Sequence, residues 1–203
     1  MTISTTLIIL LTVIAAYSIG SISSAVVVSY LMKLPDPRTS GSGNPGATNV
    51  LRLGGKTAGA VTLLGDILKG FAPVLVARLY MDSPSIIAAV ALAAFLGHLF
   101  PILLRFQGGK GVATALGVIA AMTWPTALLS LGTWLLMAVA SRYSSLSAII
   151  TALLVPIYAG YITSNIIYTG AIGLISVLII WRHRSNIQNL IAGTETRIGQ
   201  KNQ

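Results

Sequence analysis

An all-α, polytopic integral membrane protein is the fold class that this sequence predicts, and three observations predict it. Hydrophobic residues make up 55% of the 203 and charged residues only 8%, against roughly 25% charged in an ordinary globular domain. The charge-free stretches are long enough to cross a bilayer, and the basic residues gather in the gaps between them. Thirteen basic and four acidic side chains are too few to cover a water-soluble surface of this size, and mean hydropathy is +0.85. The lack of cysteine excludes a thiol nucleophile, a disulfide framework and a thiolate zinc site. Two histidines and four carboxylates are too few for a dedicated metal centre, so neither a metal nor a cofactor is expected.

The elements follow in order. Thr2 to Met32 is 31 residues without a charge, beyond the roughly 20 that span hydrocarbon. No basic residue precedes it, so it reads as an uncleaved first span and not a signal peptide. Thr57 to Tyr80 is the second span. It is interrupted by Asp66 and Lys69 at i,i+3 spacing, close enough to neutralise each other inside the membrane. Ser83 to Leu104 is the third. Val112 to Ser141 then supplies 30 uncharged residues and Tyr143 to Trp181 another 39. Trp124-Pro125 breaks the first of these runs, because proline lacks an N–H and crowds the preceding turn. Thr163-Ser164-Asn165 punctuates the second. Both breaks together give seven transmembrane helices; fewer give five.

The positive-inside rule sets the orientation. Lys33, Arg38, Arg52 and Lys56 lie in the first loop, Arg105 and Lys110 in the third, Arg142 in the fifth, and Arg182, Arg184, Arg197 and Lys201 in the tail. Seven crossings, with the N-terminus outside and the C-terminus in the cytoplasm, put these eleven of thirteen basic residues on the inner face. A single helix over 112–141 would leave Arg142 outside. The net charge of +9 is then a topogenic signal facing anionic lipid headgroups, and nucleic acid is not an expected partner. Trp124, Trp134, Trp181, Tyr143 and Tyr168 fall near span ends, as an interfacial belt does.

No internal repeat or linker divides residues 1–203, which read as one transmembrane domain with three polar cytoplasmic segments, 33–56, 97–114 and 182–197. In the first, Ser40-Gly41-Ser42-Gly43-Asn44-Pro45-Gly46-Ala47-Thr48-Asn49 alternates glycine with small polar residues. Such a run turns successive backbone N–H groups into one concavity suited to phosphate, or serves only as a flexible connector. It is not a Walker A loop, since Ala47-Thr48 stands where Lys-Ser/Thr is required. Beyond Gly46 the pattern turns helical and puts Thr48 and Asn49 on the face of Arg52. In the second, Gly108-Gly109-Lys110-Gly111 feeds an apolar helix beginning Val112-Ala113-Thr114, so a lysine meets the N–H groups of a positive helix end. His98, before Pro101, reads as a buried histidine bonded within the bundle. In the third, a helix through Arg182-His183-Arg184-Ser185-Asn186 would put His183 and Arg182 on the face of Asn186. Stop-transfer charge explains the arginines but gives no reason for His183, Asn186 or Glu195.

Two glycine-rich anion cradles and a cluster of cations on one membrane face suit phosphorylated substrates with a fatty tail. The motifs Ser42-Gly43-Asn44-x-Gly46-Ala47-Thr48-Asn49-x-x-Arg52, Gly97-His98-x-x-Pro101 with Gly108 to Thr114, and His183-Arg184-x-Asn186-Ile187 with Gly193-Thr194-Glu195 closely resemble the bacterial acyl-phosphate:glycerol-3-phosphate acyltransferase family. The resemblance covers nearly the whole chain and includes Asp66-x-x-Lys69-Gly70. It implies a seven-helix enzyme of the bacterial inner membrane with its active site facing the cytoplasm. The implied reaction moves a fatty acyl group from acyl phosphate to the 1-position of sn-glycerol 3-phosphate, giving lysophosphatidic acid and phosphate. Acyl-CoA and acyl carrier protein are not implied as direct donors, and no obligate protein partner is implied.

By motif position, the implied catalytic set is Ser42, Arg52, Lys110, His183 and Asn186. The implied substrate-binding set is Gly43, Asn44, Gly46, Thr48, Asn49, Gly108, Gly109, Gly111, Thr114, Arg184 and Glu195. Arg52, Lys110 and Asn186 would hold the acceptor phosphate or charge developing on the donor. Ser42 and the backbone at Gly43 and Gly46 would take the other phosphate and orient the attacking hydroxyl. Either His183 or a donor phosphate oxygen would accept its proton. Glu195 would pair with Arg184 or another basic residue. The His-x4-Asp pattern of the commoner glycerolipid acyltransferases is absent: Leu103 and Gln188 stand at the fifth position after His98 and His183. Asn189 stands where the family commonly has an arginine before the leucine, so that charge is missing here. The rival reading is a small transporter of a phosphorylated lipid or solute. Against it, only Asp66 and Lys69 lie deep and there is no halved symmetry.

Overall fold

In the computed structural model, residues 3–200 are described, and Thr2 and Lys201 lie outside them. The described residues contain helices and no strands, in two compact units, Met1–Met122 and Thr123–Gln203.

The first unit opens with α1 (Ile3–Gly20) and α2 (Ser24–Leu31), bent 45° apart. Ser23 caps α2 by accepting from the Val26 N–H. The helix α3 (Ala47–Tyr80) follows the first polar segment and contains a kink at Gly55, whose φ of 78° leaves the helical region. That left-handed turn, which glycine alone adopts without strain, separates a short helix carrying Thr48 to Arg52 from the apolar span expected from Thr57. Then come α4 (Pro84–Leu99), a 3-10 turn (Ile102–Leu104) and α5 (Val112–Met122).

Small residues let these backbones touch. A Cβ on Gly20 would stand 2.1 Å from the Ala94 carbonyl oxygen, and one on Gly97 would stand 2.3 Å from that of Tyr17, so α1 and α4 meet main chain to main chain. Gly117 does the same for α5 against Ile67 of α3, at 2.1 Å. Between apolar helices in lipid, close packing of this kind replaces the hydrophobic effect as the source of association. Arg78, at the end of α3, donates to the Ala121 and Met122 carbonyls at 2.9 and 3.2 Å and closes the C-terminus of α5.

The second unit is α6 (Trp124–Ser141), α7 (Ser144–Thr163), α8 (Ile166–Arg182) and the short α9 (Arg184–Ile191), with α7 packed on both α6 and α8. The break between α5 and α6 falls at Thr123, one residue before the expected place, and Pro125 lies in the first turn of α6. Proline there starts a helix because its missing N–H would have had no partner. The second expected break is in place: Ser164 ends α7 in the left-handed region, and Asn165 caps α8 by accepting from the Ile167 and Tyr168 N–H groups.

The outward surfaces are apolar. Leu7, Ile8, Leu10, Leu11 and Ile14 of α1 are each more than half exposed, a display that suits hydrocarbon and not water. Among the described residues, four helical segments are long and apolar enough to cross a bilayer alone: α3, α4 continued to Leu104, α6 and α7. The bent pairs α1 with α2 and α8 with α9 make up to six. The 11 residues of α5 reach only about 16 Å.

A Gly117→Ala substitution forces a Cβ into the Ile67 carbonyl and is expected to cost about 1–3 kcal/mol. Gly132→Ala, on α6 with nothing within 4 Å of its Cβ, is expected to be neutral or to gain about 0.5–1 kcal/mol. Unfolding in detergent checks both; equal midpoints would contradict the close α3–α5 crossing.

Candidate active site

The first polar segment is an ordered loop, and Asn49 holds it. The residue is 1% exposed. Both amide hydrogens are spent on backbone, donating to the Pro37 and Ser40 carbonyls at 2.9 and 3.0 Å, while its Oδ1 accepts from the Ser42 N–H at 3.0 Å. Asparagine is suited to this task because it offers two donors and an acceptor within one planar group. Gly41 passes so close that a Cβ there would lie 2.2 Å from Asn49 Oδ1, and its φ is 63°. Ser42, Gly43, Thr48 and Arg52 are exposed, with Asn44 and Gly46 half-buried beside them. Asn49 therefore shapes the loop from beneath, while Thr48 and Arg52 face out of the same helix. Upstream, Arg38 makes a two-pronged ion pair with Asp36, at 2.6 Å. The hydrogen bonds from Arg38 hold the Asp36 carboxyl below its ordinary range, and Asp36 in turn raises the Arg38 guanidinium.

The second segment folds back on the end of α4. A Cβ on Gly108 would stand 2.2 Å from the His98 carbonyl oxygen, and one on Gly109 would stand 2.3 Å from His98 Nε2. The Gly109 N–H donates to the His98 carbonyl at 3.3 Å. The same Cβ position lies 3.2 Å from the Pro45 carbonyl oxygen. The two glycine-rich loops thus meet at Gly109, and a side chain there would force the His98 ring and the Pro45 carbonyl to give way. Lys110 follows, half-buried, and Gly111, with φ of 84°, turns the chain into α5. The first N–H groups of such a helix have no intrahelical acceptor and carry its positive end. Thr114 is not part of this surface. It is fully buried, its carbonyl 2.4 Å from where a Cβ on Gly70 would stand, with its hydroxyl lacking a hydrogen bond.

Beneath this loop, Asp66 and Lys69 form the expected ion pair, Oδ1 to Nζ 2.9 Å, and Lys69 also donates to the Ile22 carbonyl at 2.8 Å. His98 is buried as expected, its Nδ1 3.8 Å from Asp66 Oδ1.

The third segment lies in the second unit. A continuous helix through Asn186 is not what forms: the chain bends 54° at His183, so Arg182 ends α8 while Asn186 sits in α9. The residue at the bend is buried, and its Nδ1 lies 2.8 Å from the Ile179 carbonyl. A carbonyl only accepts, so Nδ1 carries the proton and a neutral ring has its lone pair at Nε2. Glu195 does not pair with Arg184. Its Oε1 accepts from Asn186 Nδ2 at 2.8 Å and from Ser145 Oγ at 2.6 Å, which fixes the Asn186 amide by its nitrogen. Arg184 instead stacks over the Trp181 ring, 4.9 Å from its centroid. Asn189 is exposed, and its backbone carbonyl closes the turn by accepting from the Thr194 N–H at 2.9 Å.

Sequence spacing missed Ser145, 50 residues from Glu195, and the Arg197–Tyr143 contact at 3.1 Å that helps anchor the tail. Nothing local marks either one. Pro45 stands in the first glycine-rich run, and nothing local marks it as the contact for Gly109.

Residues 10–193 match the family model described as glycerol-3-phosphate acyltransferase. The chain belongs to the glycerol-3-phosphate acyltransferase family. Glycerol-3-phosphate acyltransferases of Thioalkalivibrio sulfidiphilus and Halorhodospira halophila are 56% and 54% identical to it, over 93% and 92% of this chain and 93% and 95% of theirs. The crystal structure of PlsY (YgiH), an integral membrane glycerol 3-phosphate acyltransferase in its glycerol 3-phosphate form, is 41% identical, with a TM-score of 0.90 over 94% of this chain and 96% of that one. Its lysophosphatidic acid form gives 0.88 at 40% identity, over 94% and 95%. Family membership makes the chain an integral membrane acyltransferase and does not favour the transporter reading.

Asn49→Ala removes three hydrogen bonds worth about 1 kcal/mol each. Acyltransferase kcat/KM is expected to fall at least about tenfold with helix content retained; a near-wild-type value would remove Asn49 from the loop's support.

Proposed function

We propose that the chain transfers a fatty acyl group from acyl phosphate to the 1-position of sn-glycerol 3-phosphate, giving 1-acyl-glycerol 3-phosphate and inorganic phosphate, the first acylation of phospholipid synthesis. The observation that carries this reading is the meeting of the two glycine-rich loops at Gly109, with Lys110 at their junction. Backbone N–H groups and a point charge in one concavity are what a phosphate monoester requires. The glycerol 3-phosphate and lysophosphatidic acid named for the PlsY crystal forms agree with this acceptor and product.

The glycerol hydroxyl oxygen attacks the acyl carbonyl carbon, the bond from that carbon to the phosphate oxygen breaks, and phosphate leaves with the bonding pair. The hydroxyl proton passes to His183 Nε2 or to a donor phosphate oxygen. The mixed anhydride has a good leaving group, so positioning and electrostatics supply most of the acceleration. Arg52, Lys110 and Asn186 hold phosphate charge; Ser42, Gly43, Asn44, Gly46, Gly108 and Gly111 line the cradle. Thr48 and Arg184 contact substrate at its margin, and Glu195 orients Asn186. Thr114 and Asn49 support the cradle from within the protein. A Ser42 acyl-enzyme is not proposed, since no base stands at motif spacing to activate it.

The chain would cross the inner membrane seven times, N-terminus outside, with these loops in the cytoplasm. In this cysteine-free chain, labelling of Ala47→Cys from the outside would reverse that orientation. Purified protein in lipid is expected to form lysophosphatidic acid from acyl phosphate and not from acyl-CoA. Lys110→Ala and Arg52→Ala are each expected to lower kcat/KM at least about tenfold, the loss of ~1.4 kcal/mol of charge-assisted binding. Turnover with acyl-CoA would overturn the donor, and near-wild-type kinetics in both variants would overturn the phosphate clamp.

A further inference from the structure

A carboxylate and an ammonium placed inside a membrane span are costly even when paired, and Lys69 alone already neutralises Asp66 at 2.9 Å. Ion-pair neutralisation therefore leaves unexplained why a histidine ring also stands against that carboxylate. Asp66, Lys69 and His98 are all buried. Lys69 ties the cluster to the Ile22 carbonyl at the α1–α2 bend. His98 Nδ1 lies 3.8 Å from Asp66 Oδ1, while the opposite edge of the same ring, at Nε2, abuts Gly109 so closely that a Cβ there would stand 2.3 Å away. The backbone of His98 also accepts from the Gly109 N–H.

We infer that His98, which lies beside Asp66, is a positioning residue for the acyl transfer: its ring is the rigid spacer that sets how far Gly109, and with it Lys110, stands from the Pro45 side of the cradle. This deepens the glycerol 3-phosphate reading and rests on it. The ring meets the loop at Gly109, so its effect falls on the substrate whose phosphate that loop holds. A loop displaced by a fraction of an ångström holds phosphate poorly, while binding of the acyl chain is untouched. The two ring nitrogens have separate duties. An asparagine amide reproduces the Nδ1 side that faces Asp66, and a glutamine amide reaches the Nε2 side that faces Gly109.

The experiment measures steady-state kinetics for both substrates, with detergent unfolding midpoints, in the wild type, H98A, H98N and H98Q. H98A is expected to raise KM for glycerol 3-phosphate at least about tenfold while KM for acyl phosphate stays within about twofold. H98Q is expected to return KM for glycerol 3-phosphate to within about threefold of wild type, and H98N is not. An unchanged KM in H98A, equal losses for both substrates, or rescue by H98N as good as that by H98Q would each overturn the inference. If H98A is not recovered folded, the contrast between H98Q and H98N decides alone. A wild type that acylates no glycerol 3-phosphate in the same assay would instead sink the underlying function.

Discussion

The seat of Gly109 is the constraint on which the candidate site depends. A Cβ on Gly109 would meet both the His98 ring and the Pro45 carbonyl, and there two loops more than sixty residues apart in sequence come together. Everything nearby serves that seat. Asn49 stiffens the first loop from below, the end of α4 supplies the wall for Gly108 and Gly109, and Gly111 starts α5 so that its positive end follows directly after Lys110. A loop so packed has little freedom left to lose, which is what the proposed anion cradle would need to be preorganised.

The membrane imposes the second constraint. Helices in hydrocarbon cannot rely on apolar burial to find one another, so α1 meets α4 and α3 meets α5 through glycines that bring main chains into contact. The same economy governs the charges. Arg78 spends its guanidinium closing α5, and Lys69 spends its ammonium on Asp66 and on a carbonyl exposed by the α1–α2 bend. In the second unit, Glu195 serves as an acceptor for Ser145 and Asn186 and not as a counter-ion. That arrangement aims the Asn186 side chain with hydrogen bonds, without adding a charge pair beside the arginines.

Much of this was legible in the sequence because composition and punctuation are local signals. Uncharged runs marked the helices, and Thr163-Ser164-Asn165 marked the break before α8, though its capping by Asn165 is seen only in the structure. The Asp66–Lys69 pair followed from i,i+3 spacing alone. Pro125 misled by one residue, since proline forbids a helix before it as readily as it begins one after it. The third segment misled further: helical spacing put Arg182 and Asn186 on one face, but the chain bends at His183, whose side chain turns inward to bond the Ile179 carbonyl. Asn49 and Thr114 carry the family motif yet point into the protein, because motif position reports that a residue matters and not which way it faces. Ser145 had no signal at all, its partner lying far away in sequence.

The claim that the two glycine loops form one anion cradle, closed at Gly109, is tested most directly by calorimetric titration of glycerol 3-phosphate onto the wild type and Gly109→Ala in detergent. The wild type is expected to bind, and the variant to bind at least about tenfold more weakly with its helix content intact, since a methyl group there must push the loop off the His98 ring. Equal affinity in the two proteins would contradict the account.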